Sequence, residues 1–208
     1  MARVKPKNAH HHGDLKEALI RYATEAARQG AVEDLSLRKA SRDLGVSPGA
    51  AYRHFKDKAA LLHAVAARGF DALADDFEAA VAFDSEAASA AEAEARFAAL
   101  GAAYVSFAAA NPNLWRLMFG PHGMTAGPGP ATRPSTYAWL GKCLDELKGF
   151  RVIANVNDRT RFFAWTAIHG LADLRHAPPA CEVQERMLVL GQCELVLQAL
   201  RAADSSAQ

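Results

Sequence analysis

The chain has 208 residues, half of them hydrophobic by type, and a formal net charge of +1. That length suits one or two domains with an ample core, while no apolar run reaches the roughly 18 residues needed to span a bilayer. The N-terminal MARVKPKNAHHHGDLK lacks the apolar centre of a secretory signal, and Cys143, Cys181 and Cys193 form no C-x-x-C pair, which points to thiols in a reducing cytoplasm and not to a disulfide frame or zinc site.

The charge is unevenly distributed. Residues 1–58 hold 12 Lys and Arg against 7 Asp and Glu, a net of +5; residues 59–208 hold 12 against 16, a net of −4. A basic head on an acidic body fits a nucleic-acid-binding domain joined to a domain with another task. The first residues, with Arg3, Lys5 and Lys7, read as an arm that lies along DNA. His10, His11 and His12 are consecutive and lack a carboxylate or cysteine cluster, so neither a metal nor a cofactor is expected.

The first helix is predicted over LKEALIRYATEAARQG, with Asp14 as its cap, Leu15, Leu19, Tyr22 and Ala26 on one face, and Gly30 at its end. In residues 36–58, SLRKASRDLGVSPGAAYRHFKDK, Leu37, Ala40 and Leu44 recur at helical spacing. Gly45 stops that helix in the left-handed conformation. Ser47 caps the next, with Pro48 at its first position, where a missing N–H costs nothing. Asp57 caps the helix after that. Two short helices around a Gly-containing turn form a helix-turn-helix, whose second helix enters the DNA major groove.

Candidate DNA contacts follow from that placement. Ser47, Gly49 and Ala50 are small enough for close approach. Arg53 reaches phosphate or a guanine edge. Tyr52 and His54 donate to phosphate oxygens. Arg38, Lys56 and Lys58 add positive charge, so losing Tyr52 or Lys58 is expected to weaken binding to all sequences, and losing Arg53 to relax specificity.

Helical patterns then fill the chain, with no strand pattern: 57–81, Ala91–Ala110 stopped by Asn111-Pro112, the short NLWRLMFG, Tyr137–Leu147, Asn157–His176 and Cys181–Arg201. Residues 120–134 are a Gly/Pro-rich loop, Pro178-Pro179 separates the last two helices, and the tail DSSAQ is expected to be unstructured. The fold class is all-α, with an arm and helix-turn-helix domain over 1–58 and a helical body over 59–208. In the body, Phe97, Tyr104, Phe107, Trp115, Phe119, Trp139 and Trp165 either fill the core or line an apolar pocket, with Tyr104 and His169 orienting a small molecule. Phe162, Trp165, Ile168, His169 and Ala172 share one helical stripe. Met187, Leu190, Glu194, Leu197 and Arg201 share another; such stripes serve either core or interface.

GVSPGAAYRHFKDKAALL resembles the DNA-binding signature of the TetR family of transcriptional regulators, with Gly45, Val46, Ser47, Tyr52, His54, Phe55 and Lys58 in the family's slots. Ala51 departs from it, standing where a larger aliphatic residue is usual. FFAWTAIHGLADL (Trp165, His169, Gly170) and NPNLWRLMFG (Asn111, Pro112, Trp115, Met118, Phe119) are similar to segments of one TetR subgroup, as is HHHGDLKEAL near the start. The resemblance implies a three-helix DNA-binding domain and a helical ligand-binding and dimerisation domain. It implies a homodimer whose last two helices pack into a four-helix bundle, on a double-stranded operator with an inverted repeat, released by an unknown small, largely apolar effector. No H-E-x-x-H or P-loop is present, so an enzyme is not expected. Two alternatives stand beside the ligand-released repressor: a DNA-binding protein that needs no ligand, and a helical carrier or enzyme with a vestigial helix-turn-helix.

Overall fold

The computed structural model describes residues 12–81, 85–120, 135–174 and 185–205. Arg3, Lys5, Lys7, His10, His11, the Gly/Pro-rich stretch 121–134, Pro178-Pro179 and Cys181 lie outside the described residues. Among those described, every regular element is a helix: α1 His12–Arg28, α2 Leu37–Asp43, α3 Pro48–Tyr52, α4 Lys58–Ala80, α5 Ala90–Ala110, α6 Pro112–Phe119, α7 Thr136–Gly149, α8 Asp158–Leu174 and α9 Glu185–Ser205. The described residues of Met1–Arg68 and Asn113–Gly127 form one compact unit, and those of Gly69–Pro112 and Pro128–Gln208 a second.

In the first unit, local punctuation sets the helices. Ser36 caps α2 through its hydroxyl, which accepts from Lys39 N at 3.1 Å. Gly30 and Gly45 have φ of +74° and +69°, which only glycine adopts without steric cost. Asp57 caps α4, its carboxylate accepting from Ala60 N at 2.7 Å. Leu19, Ala23, Ala40, Ala51, Leu61 and Val65 are fully buried, and Phe55 nearly so. Tyr22 donates to Asp43 at 2.6 Å, and that bond holds its phenol above the ordinary pKa. Arg68 is paired with Glu17. Asn113, in α6, donates from its amide to Arg28 O at 3.0 Å, and Gly30 is where that amide packs.

Several expectations are corrected. α1 begins at His12, so Asp14 stands inside it and does not precede it. Its buried stripe is Leu19, Ile20, Ala23 and Ala27, leaving Tyr22 and Ala26 half-buried; small alanines carry the contact that a count of large residues assigns to Tyr22. Pro112 opens α6 as well as closing α5, because a helix's first position needs no N–H. α9 runs to Ser205, so the first two tail residues are helical.

The second unit is built around α5, which packs against α7, α8 and α9. Phe97, Leu100, Tyr104, Val105 and Phe107 of α5 are buried. Ser89 caps it, accepting from Glu92 N at 3.2 Å, while Glu92 reaches back to Ala88 N, one residue before the cap, at 2.8 Å, a variant of the capping box. The backbone bond from Ala88 and the Arg96 guanidinium hold the Glu92 carboxyl below its ordinary value. Arg96 is 9% exposed and fully engaged, bonding Ser85 O at 2.8 Å, Glu92 at 2.8 Å and Glu146 at 2.9 Å. Burial opposes its charge, and the two carboxylates more than offset that, leaving its pKa raised. At Gly101 a Cβ would stand 2.7 Å from Cys193 Sγ, so a side chain there fits only if that sulfur moves. Cys143 and Cys193 are free and buried, and burial pushes their pKa values up to about 12 and about 11, which removes the reactive thiolate at neutral pH.

Candidate functional site

The recognition helix α3 turns one face outward. Ser47 has the extended backbone of an N-cap residue, yet its hydroxyl makes no cap bond, so the side chain contributes no cap and its oxygen stays available. Gly49 is exposed with open space where a Cβ would sit. Tyr52 is 46% exposed, a high value for a large aromatic. Arg38, Arg53 and Lys56 are exposed on the same small unit. These residues share the properties a phosphate- and base-edge-reading face requires: small groups for approach, donors and fixed positive charge.

Three candidates are placed differently. Ala50 is buried against the unit's own core, so its methyl packs inward and is not offered to DNA. His54 is half-buried, and its Nε2 is sealed from solvent with no partner, so that nitrogen cannot donate to phosphate. Lys58 is half-buried and donates from Nζ to Glu33 O at 3.0 Å. Its ammonium ties the α1–α2 connection to α4, with two of its three N–H groups left for other acceptors.

In the second unit the aromatic candidates divide. Phe97, Phe107 and Trp139 are buried core residues. Trp115 and Phe119 belong to α6 in the first unit, where Trp115 is buried and meets the Phe119 ring at a centroid distance of 4.3 Å. Tyr104, Trp165 and His169 come together. Trp165 Nε1 donates to Tyr104 Oη at 3.2 Å, and Tyr104 Oη lies 2.8 Å from His169 Nδ1. The Trp165 indole stacks on the imidazole at 4.9 Å. Asp173 stands 3.6 Å from His169 Nε2, which favours a proton on Nε2 and leaves Nδ1 to accept from the Tyr104 hydroxyl. Burial lowers the His169 pKa against the opposing pull of Asp173, and burial raises that of Tyr104. At neutral pH the cluster is therefore an uncharged Tyr–His pair on an indole shelf, its N–H and O–H groups bonded to one another or turned to Asp173.

Asp173 was missed in the sequence. It follows His169 by one helical turn, and that i,i+4 spacing was the available signal. Among the described residues, no group of three or more His, Cys, Asp or Glu is placed to hold a metal ion, and no helix is long and apolar enough to cross a membrane.

Comparison with known proteins agrees with this geometry. Residues 19–65 match the model of bacterial regulatory proteins of the tetR family, and residues 97–185 that of the tetracyclin repressor-like C-terminal domain. A Rhodococcus sp. RHA1 protein of unknown function is 30% identical, with 94% of this chain and 100% of that chain covered and a TM-score of 0.73. A regulatory protein in the tetR family from Rhodococcus RHA1 is 22% identical, with 89% and 96% covered and a TM-score of 0.60, a likeness of fold. No curated protein matches the chain. The chain belongs to the TetR family. It is a DNA-binding transcriptional regulator, of a family that binds operators, forms dimers and is generally non-enzymatic.

Proposed function

We propose that this regulator is a cytoplasmic repressor that holds a palindromic operator as a homodimer and leaves it when a small, largely apolar molecule binds near Tyr104, Trp165 and His169. The observation that carries the reading is a hydrogen-bonded Tyr–His–Trp cluster set among buried aromatics in a unit that carries no DNA-reading face. An effector need only bind more tightly to the DNA-incompetent state to release the operator. Dimerisation through α8 and α9 is supported by Phe162, Phe163 and Leu174 on α8 and Leu190 and Leu195 on α9, all large, apolar and exposed on the single chain. Tyr52, Arg53 and Lys56 carry phosphate and base-edge contacts in this reading, with Ser47 and Gly49 at the point of closest approach.

A ligand-independent regulator is the second reading, favoured by Phe97, Phe107 and Trp139 being sealed in the core. One experiment separates the readings. Purified protein is used to pull down genomic fragments at low and near-physiological salt, with Arg53→Ala alongside. Enrichment of one short inverted repeat that survives the higher salt, and whose sequence preference relaxes in Arg53→Ala, is the expected result. That fragment then serves in a release screen, in which the Tyr104→Phe variant should respond less to an effector that releases the native protein. Uniform, salt-labile enrichment overturns the operator reading, and a release screen without hits on a confirmed operator favours the ligand-independent one.

A further inference from the structure

Asp43 closes α2, and its charge is unfavourable there on two counts. A carboxylate at a helix C-terminus opposes the helix dipole. A carboxylate in a basic head also repels the phosphates that the head approaches. Its contacts supply the reason for its presence. Tyr22 of α1 donates its hydroxyl proton to Asp43 Oδ2 at 2.6 Å, the length of a charge-assisted O–H···O⁻ bond. Arg42 Nε stands 3.7 Å from the other carboxylate oxygen.

The bond holds the end of α2 and the turn that follows it. Leu44, Gly45 and Val46 separate Asp43 from Ser47, the N-cap residue of α3. Two backbone bonds make that turn an extension of α2: Gly45 N donates to Arg42 O at 3.1 Å, and Val46 N to Ser41 O at 2.9 Å. A rotation of the α2 end therefore carries α3 with it. α3 has few means of holding its own direction. It spans 5 residues, too few for a helix to stand alone, and the residues it buries are Ala50 and Ala51. Methyl groups interlock less than large side chains, so packing alone fixes its orientation loosely. A hydrogen bond is directional where that packing is not. Solvent competes for this one, Asp43 being 39% exposed, so its net weight in stability is modest and its consequence is geometric.

We propose that Tyr22 is a positioning residue for DNA recognition: its hydroxyl, acting through Asp43, sets the angle at which α3 meets base edges, without itself touching DNA. The proposal rests on α3 as the reading helix. Base-edge contacts demand close geometry, whereas phosphate contacts from long side chains such as Lys56 tolerate a small rotation. Loss of the tie should therefore blur sequence reading and spare non-specific binding.

The test is selection from a pool of random DNA duplexes by the full native chain. Native protein, Tyr22→Phe, Asp43→Ala, Asp43→Asn, the double variant Tyr22→Phe/Asp43→Ala and Arg53→Ala are then titrated with the enriched duplex and a scrambled one at several salt concentrations, below their thermal midpoints. Tyr22→Phe and Asp43→Ala each remove the bond; Asp43→Asn keeps an oxygen that can accept from Tyr22. Tyr22→Phe should lower the ratio of enriched to scrambled affinity about five- to tenfold, the low end of what one mismatched base pair costs. Its affinity for the scrambled duplex and its salt slope should match the native ones. Asp43→Ala should lower the ratio equally, the double variant no further, and Asp43→Asn should retain most of it. Without DNA, amide exchange at Gly45 and Val46 should quicken in Tyr22→Phe and Asp43→Ala but not in Asp43→Asn. A native ratio in Tyr22→Phe overturns the proposal. So does a loss on both duplexes with a shallower salt slope, which would make Tyr22 a phosphate contact, or an equal loss in Asp43→Asn, which would assign the effect to charge. A native chain that enriches no duplex overturns it too, since nothing is then read. Arg53→Ala separates this failure from that of the reading helix: if it also keeps the native ratio, α3 is not the reader and both readings fall.

Discussion

His169 is the residue whose surroundings fix its chemistry most closely. Its pKa is lowered from 6.5 in the folded chain, first by burial, with Asp173 acting in the other direction. In the unfolded chain the ring protonates at its ordinary value. Between the folded and unfolded values the unfolded state binds more protons, so acid favours unfolding. The contribution of His169 is complete above about pH 6.5 and is lost as the pH falls below it. Native protein should therefore lose thermal stability between about pH 7.5 and about pH 5.5, and His169→Asn, which retains an acceptor near Nδ1 without the titration, should lose less. Identical pH profiles for the two proteins would remove His169 from the acid response. Gly49 separates folding from reading in the same way. A Cβ there meets nothing within 4 Å, so Gly49→Ala should leave the fold intact and stabilise α3 by about 0.5–1 kcal/mol, yet weaken operator binding if α3 approaches DNA closely. Equal affinity for the two proteins would mean that DNA stays clear of this position. Residue types were legible here where chemistry is local: Gly45, Pro48 and Asp57 act on their own neighbours. The inward turn of Ala50 and His54 and the Lys58 bond to Glu33 were not legible, because each depends on what packs across the unit.

At the scale of elements, the close approach of α5 and α9 rests on one missing side chain. Gly101 stands mid-helix, where glycine costs about 1 kcal/mol relative to alanine if nothing crowds it. Its value is the space it leaves for Cys193, since an added Cβ would lie 2.7 Å from Sγ. Gly101→Ala is therefore expected to destabilise by about 1–3 kcal/mol by overpacking, against its helix-propensity gain. In a Cys193→Ala background the obstructing sulfur is gone, and the same change should cost little or stabilise. Denaturant midpoints of the four proteins measure the coupling; additive effects would show that Cys193 Sγ is not what opposes a Cβ at residue 101. Helix number and order were readable from apolar spacing and from Gly, Pro and Ser punctuation. The alanine-rich contact face of α1 and the close contact at Gly101 were not, because small residues carry little hydrophobic signal even when they determine how near two helices come.

At the scale of the whole molecule, α8 and α9 stand out for the apolar surface they expose. Five large apolar side chains on these two helices are at least 42% exposed, Leu174 reaching 70%. Scattered apolar exposure is ordinary, but a concentration on two helices is what the proposed dimer interface requires. A helix-turn-helix reading an inverted repeat needs two heads one DNA turn, or a multiple of it, apart. Joining them raises the effective concentration of the second head and gives avidity without new base contacts. Replacing Phe163 and Leu195 with Glu should then yield a monomer by sedimentation, since each carboxylate would be buried unpaired in the interface. Both sites are solvent-exposed on the single chain, at 42% and 59%, so the helical content of the subunit should persist. Operator affinity should fall by about 10²–10⁴, while the salt-sensitive, sequence-independent component of each head remains. A variant that stays dimeric and binds the operator normally would move the interface off α8 and α9. A variant that is monomeric yet binds at native affinity would instead mean that each head reads its half-site alone.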